Sequence, residues 1–143
     1  MSKLFSSIAE ISYLAEGILV TRLIEGSEIT LDNSVENFQK AMTLTGGKRY
    51  AAFTDARATV TISKEAMAFG SSEEANKMLI AQAILISSLA NRLMGNFMIK
   101  FHKPKSPTKL FSDEEEAMSW LREKLEAEKM NGSAQSRSKL PVF

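Results

Sequence analysis

The sequence predicts an α/β protein. After an opening β-hairpin, short apolar runs of strand length alternate with segments of helical period, and Ser or Thr stands where each helix starts. From Ile8 to Leu23 two β-like runs flank Glu16-Gly17, where glycine supplies the positive φ that a tight turn demands. Thr30 is placed to cap a helix whose Leu31, Val35, Phe38 and Met42 recur at helical spacing, and Gly46-Gly47 ends it. The run Arg49–Thr54 is short and apolar enough for a buried parallel strand, with Asp55 at its carboxyl end.

Ser63 reads as the N-cap of a helix over Lys64–Phe69 that breaks near Gly70, and Ser71 with Glu74 has capping-box spacing for a further short helix. Met78–Ile86 is apolar and by pattern alone fits helix or strand; its position between two helical segments and the bounding Ser87-Ser88 favour a central strand. Leu89, Leu93, Phe97 and Phe101 line one side of the next helix, and Met94 and Met98 widen that stripe. Pro104 and Pro107 interrupt the chain before a short strand, Thr108–Phe111. Ser112 with Glu115 then opens a last helix, whose acidic first turn and later Arg122 and Lys124 suit the helix dipole. Ala117, Leu121 and Leu125 are spaced to pack it on the sheet, with Trp120 at the margin.

Strand and helix in alternation imply right-handed crossovers. The expected architecture is about five strands in a mostly parallel mixed sheet with about four helices, and the hairpin lies towards one edge. At 143 residues, 44% of them hydrophobic, the chain can bury one sizeable core. Residues 1–128 form that domain. From 129 to 143 the composition turns to Asn, Gly, Ser, Gln and Lys, and a disordered tail is expected.

Composition also narrows the function. A net charge of +1 supplies no overall field towards nucleic acid or an anionic membrane. Without cysteine there is no disulfide, thiolate nucleophile or Cys-ligated zinc, and a reducing compartment is compatible. The N-terminal stretch has no signal-peptide run, and polar residues break the most apolar window, Met78–Leu93, so no membrane span is expected and the chain reads as cytoplasmic.

Several strings resemble a known group. Thr45-Gly46-Gly47-Lys48 precedes the second core strand, Phe53-Thr54-Asp55-Ala56-Arg57 ends it, Asn91-Arg92-Leu93-Met94-Gly95-Asn96-Phe97 lies in a late helix, and Pro107-Thr108-Lys109-Leu110-Phe111-Ser112-Asp113-Glu114 runs into Ala117-Met118-Ser119-Trp120-Leu121. Together, from about Tyr13 to Leu121, they resemble a group of uncharacterised bacterial proteins with a SpoIIAA-like (STAS-type) fold. The resemblance implies a bacterial α/β module. Relatives in the anti-sigma-factor-antagonist branch carry an Asp-Ser pair at the start of the helix after this strand, where a kinase partner phosphorylates the Ser. Here Asp55-Ala56-Arg57-Ala58-Thr59-Val60-Thr61-Ile62-Ser63-Lys64 lacks the pair, and only Ser63 falls near its place.

Ligands on open α/β sheets sit beyond the carboxyl ends of the strands. That edge collects Asp55, Arg57 and Ser63 as candidate ligand or partner contacts, against the plainer reading of satisfied backbone donors, a surface arginine and a helix cap. Ser87 and Ser112 read first as caps. Lys100, His102, Lys103, Lys105 and Lys109 form a basic cluster, read first as a solvated loop. His102, the only histidine, has no second His or Cys to complete a triad or metal set, and Glu114, Glu115 and Glu116 face apart on their helix. No catalytic residue, metal ligand or cofactor is assigned.

The Met-rich stripe is read first as core, and second as an oligomer surface formed by Leu93, Met94, Phe97 and Met98, a two-fold homodimer being the default. The leading functional expectation is a non-enzymatic regulatory or interaction module that binds a protein partner or itself. The alternative is a domain for a nucleotide or apolar molecule at the strand ends. The first expects a surface without a deep cavity, and the second a pocket of roughly a few hundred Å³.

Overall fold

A computed structural model describes residues 2–101 and 105–138, with every side chain among them except those of residues 2, 90, 91, 94, 97, 98, 101 and 132–138. In chain order the elements are β1 (Ser2–Phe5), β2 (Ala9–Tyr13), β3 (Ile18–Leu23), β4 (Glu28–Ile29), α1 (Leu31–Thr45), β5 (Tyr50–Asp55), β6 (Thr61–Ile62), α2 (Lys64–Gly70), α3 (Glu73–Asn76), β7 (Leu79–Leu85), α4 (Leu89–Phe101), β8 (Thr108–Phe111) and α5 (Glu114–Ser138). Six strands form the main sheet in the order β1-β2-β3-β5-β7-β8, and β4 pairs with β6 in a small parallel ladder. The first two joins of the main sheet are antiparallel and the next three parallel.

The hairpin forms as expected. β2 and β3 meet through a turn in which the Gly17 N–H donates to the Leu14 carbonyl at 2.9 Å, and Gly17 takes φ 99°. Beyond it the parallel strands follow one another in space as they do in sequence, so crossovers of one hand put α1, α2 and α4 on the same face. Helix α5 has no strand to return to and covers the opposite face.

Residue alternation records the split. Ala51 and Phe53 point to α5, packing with Ile18, Val20 and Leu85 against Ala117, Leu121 and Leu125. Tyr50 and Ala52 point the other way, towards Ala41 of α1 and Ala66 of α2. Met78–Ile86 is largely the expected inner strand: β7 lies between β5 and β8, with Leu79, Ala81, Ala83 and Leu85 buried.

Several expectations are corrected. Strand β1 lengthens the antiparallel end beyond the predicted hairpin, held by the ladder from Ser2↔Tyr13 to Phe5↔Glu10 rather than by an apolar pattern. In α1 the buried positions are Ala41 and Thr45, while Leu31 is exposed, because small residues let the helix approach the sheet. Ser72, not Ser71, caps α3 by accepting from the Ala75 N–H; the Ser71 hydroxyl is spent on the Met67 and Ala68 carbonyls at the end of α2. Asp113, not Ser112, opens α5, its carboxylate accepting the Glu116 N–H at 3.0 Å, where a full negative charge suits the helix dipole.

Helix α4 also differs from the expected core stripe. Leu89 and Leu93 are 72% and 62% exposed. Gly95 instead faces Leu110 so closely that a Cβ there would lie 3.0 Å from its methyl groups. The side chains of Met94, Phe97 and Met98 lie outside the described residues, as does the whole of His102. Helix α5 runs on to Ser138, since lengthening an existing helix needs no new nucleus. Among the described residues no helix is long and apolar enough to cross a membrane.

Candidate functional site

The sequence directs attention to Asp55 and Arg57, and the structure brings them together at the carboxyl end of β5. Arg57 grips Asp55 in a fork, Nε donating to Oδ1 at 2.9 Å and Nη2 to Oδ2 at 2.8 Å, while the Arg57 backbone N–H also donates to Oδ1 at 3.2 Å. Arg22 Nη1, from the neighbouring strand, donates to Oδ2 at 2.9 Å and reaches on to Glu114 at the start of α5. The hydrogen bond from Arg57, reinforced by that from Arg22, holds the Asp55 carboxyl at about 2, well below its ordinary range.

A carboxylate has room for about four donors, and Asp55 already accepts four hydrogen bonds. No acceptor capacity remains for a ligand. The cluster ties β3, β5 and α5 together. Ser63 does not join it: its side chain caps α2, accepting the Ala66 N–H at 3.1 Å.

The concave site lies elsewhere. Between the sheet and helices α1, α2 and α4 is a cavity of about 300 Å³. Its floor is the sheet face of Leu19, Thr21, Ala52, Thr54, Gln82 and Ile84. Ala41, Ala66 and Gly70 contribute to its walls, and Ile99 reaches it from α4. Phe38 of α1 and Phe69 of α2, also in the lining, meet edge to face with ring centres 5.6 Å apart. The space exists because small side chains occupy both layers: alanines on floor and wall leave unfilled what leucines would occupy.

The polar groups among the described lining residues are neutral. Thr21 and Thr54 are in register on adjacent strands, as are Gln82 and Thr108. The Gln82 amide donates to the Thr54 hydroxyl at 3.3 Å. Tyr50 lines one end; it is only 5% exposed, and its burial pushes the phenol up to about 12. Among the described residues no Asp, Glu, Lys, Arg or His lines it. The arrangement can hold an apolar body and orient it by a few uncharged hydrogen bonds.

A family model spans residues 12–125, from Ser12 near the end of β2 to Leu125 of α5, and so contains the sheet face and helices enclosing this cavity. The chain belongs to the family Domain of unknown function (DUF7793). Among solved structures, an uncharacterised protein of the DUF3478 family with a SpoIIAA-like fold, from Shewanella loihica PV-4, is similar at 17% identity and a TM-score of 0.59, over 85% of this chain and 98% of that one. The fold is thus the SpoIIAA-like one that the sequence strings resemble. None of the curated proteins matches the chain.

For this DUF7793 domain, reasoning from sequence missed the cavity, although one signal was visible. Gln82 interrupts an otherwise apolar strand, where a buried amide needs a partner. The alanines carried no such mark, because alanine is equally common in a tightly packed core.

Proposed function

We propose that this domain binds a small, mostly apolar molecule without formal charge, held between the sheet and helices α1, α2 and α4. The observation that carries the reading is a cavity of about 300 Å³ whose described lining residues include no ionisable group except Tyr50. A nucleotide suits it poorly, since buried phosphates without a cation carry a large desolvation cost. A neutral ligand with one hydroxyl or carbonyl group matches the Thr54–Gln82 pair and the Tyr50 hydroxyl. The site therefore lies over the sheet face rather than beside Asp55 and Arg57.

The interaction-module reading draws support from a different observation, the exposure of Leu89 and Leu93 on α4. The two readings are compatible, because the cavity and those leucines occupy different sides of that helix.

The test is binding of a neutral, environment-sensitive dye such as Nile red, followed by displacement with linear alcohols of increasing length. Wild-type protein brightens the dye, and alcohols displace it. Ala52→Phe, which fills the floor, abolishes the signal while circular dichroism stays unchanged. Equal dye binding by a folded Ala52→Phe protein overturns the proposal, as does a wild-type protein that neither brightens the dye nor changes its melting temperature with any alcohol.

A further inference from the structure

The near-neutral net charge conceals a sharp segregation. From Lys77 to Ser112 the chain carries Lys77, Arg92, Lys100, Lys103, Lys105 and Lys109 and not one acidic residue; all 17 Asp and Glu lie outside this segment. The segment contains α4, the helix whose outer side is the least expected feature of the fold. Leu89, Leu93, Asn96 and Lys100 follow one another at i, i+4, i+7 and i+11, forming one outward stripe, and all four are exposed. Arg92 is exposed beside it, and Lys105 is exposed in the loop that follows.

We infer that the outward side of α4 docks on an anionic lipid surface. Exposed leucines interspersed with cations and free of acidic residues are what a helix lying on a membrane presents: the apolar side chains enter the boundary of the acyl region while Lys and Arg meet the headgroup phosphates. The leucines decide against nucleic acid, whose phosphate backbone offers them nothing. The missing carboxylates decide for an anionic rather than a zwitterionic surface. Ile99, one turn from Gly95 and about a quarter of the way round the helix from the stripe, belongs to the cavity wall. A docked α4 thus sets the cavity beside a source of apolar molecules, although docking itself does not depend on the cavity being occupied.

Vesicle flotation tests this with the full chain. Vesicles of phosphatidylcholine mixed equally with phosphatidylglycerol carry the protein upward, vesicles of phosphatidylcholine alone do not, and added salt releases it. The double variant Leu89→Ser/Leu93→Ser and the variant Arg92→Glu each weaken flotation by roughly tenfold or more. Both change exposed positions, so circular dichroism stays that of wild type.

Absence of flotation on the anionic vesicles overturns the inference, as does equal flotation on both lipids or a folded leucine variant that floats normally. Light scattering adds one more outcome. A wild-type dimer that the leucine variant converts to monomer, without lipid binding, assigns the patch to a second copy of the chain and overturns lipid docking. Ala52→Phe floats like wild type even where it binds no dye, so failure of the cavity reading and failure of the docking reading remain separate.

Discussion

Gln82 on β7 donates its side-chain amide to the hydroxyl of Thr54 on β5, 3.3 Å away, across the floor of an otherwise apolar cavity. A polar pair at the base of an apolar space confers selectivity more than stability. A hydrogen bond of this kind contributes only about 1 kcal/mol net, but its loss leaves a polar atom facing a ligand that cannot satisfy it.

Replacing Gln82 by Leu therefore leaves stability within about 1 kcal/mol of wild type, because lost hydrogen bonding is offset by added apolar surface. Its effect falls on recognition. The preference for a linear alcohol over an alkane of the same length drops by roughly fivefold, while the dye itself binds as well or better. Paired displacement titrations measure the ratio, and an unchanged preference would remove Gln82 from the binding role.

Asp55 governs the acid side of stability. Its pKa is about 2 in the folded protein against 3.8 when unperturbed, so the unfolded chain binds the proton more readily. The stabilisation is complete above pH 4 and is lost as the pH falls through about 2. Because Arg22 and Arg57 are partly solvated, the contribution is about 1–2 kcal/mol rather than the full value of the shift. Asp55→Asn lowers stability at neutral pH by that amount and flattens the acid limb below pH 4, as urea denaturation at stepped pH will read.

The same residue shows what was legible in the sequence. The hairpin at Gly17, the inner strand Leu79–Leu85 and the buried line Ala117, Leu121, Leu125 follow from period and turn chemistry, because those are properties of neighbouring residues. The pairing of Asp55 with the nearby Arg57 is within reach of a sequence reading, but the third partner of the cluster, Arg22, comes from 33 positions away, where no local pattern points to it. The cavity was harder still. It arises where Ala41, Ala52 and Ala66 converge from three elements, and no local pattern distinguishes alanines that leave a space from alanines that close one. Apolarity alone left Leu89 and Leu93 between core and oligomer surface, whereas Gly95 admits Leu110 to the side of α4 that faces the sheet.

Helix starts offer a sharper comparison between adjacent residues. Sequence spacing favoured Ser112 as the cap of α5, and the structure gives that place to Asp113. Asp113→Ala is expected to cost about 1 kcal/mol, through the lost hydrogen bond and the lost charge at the helix start. Ser112→Ala changes stability by no more than about 0.5 kcal/mol, as exposed substitutions away from such features do. Thermal denaturation of the two variants side by side decides it, and a larger loss for Ser112→Ala would return the cap to the serine.

Tyr50 links the cavity to the alkaline limit of the fold. Burial favours the neutral phenol, raising its pKa from 10.0 to about 12, so the unfolded chain ionises first and stability falls as the pH rises from 10 to 12. The chain has two tyrosines, and a Tyr13→Phe background leaves Tyr50 as the sole phenol to observe. Phenolate absorbance in that background rises with a midpoint near 12 while the protein remains folded by circular dichroism. An apolar ligand in the cavity displaces water from the Tyr50 side and moves the midpoint higher still, since a less hydrated phenolate is less stable. Saturating alcohol that leaves the titration unmoved, with dye displacement confirming its binding, would place the ligand away from Tyr50 and towards the Phe38–Phe69 side of the cavity.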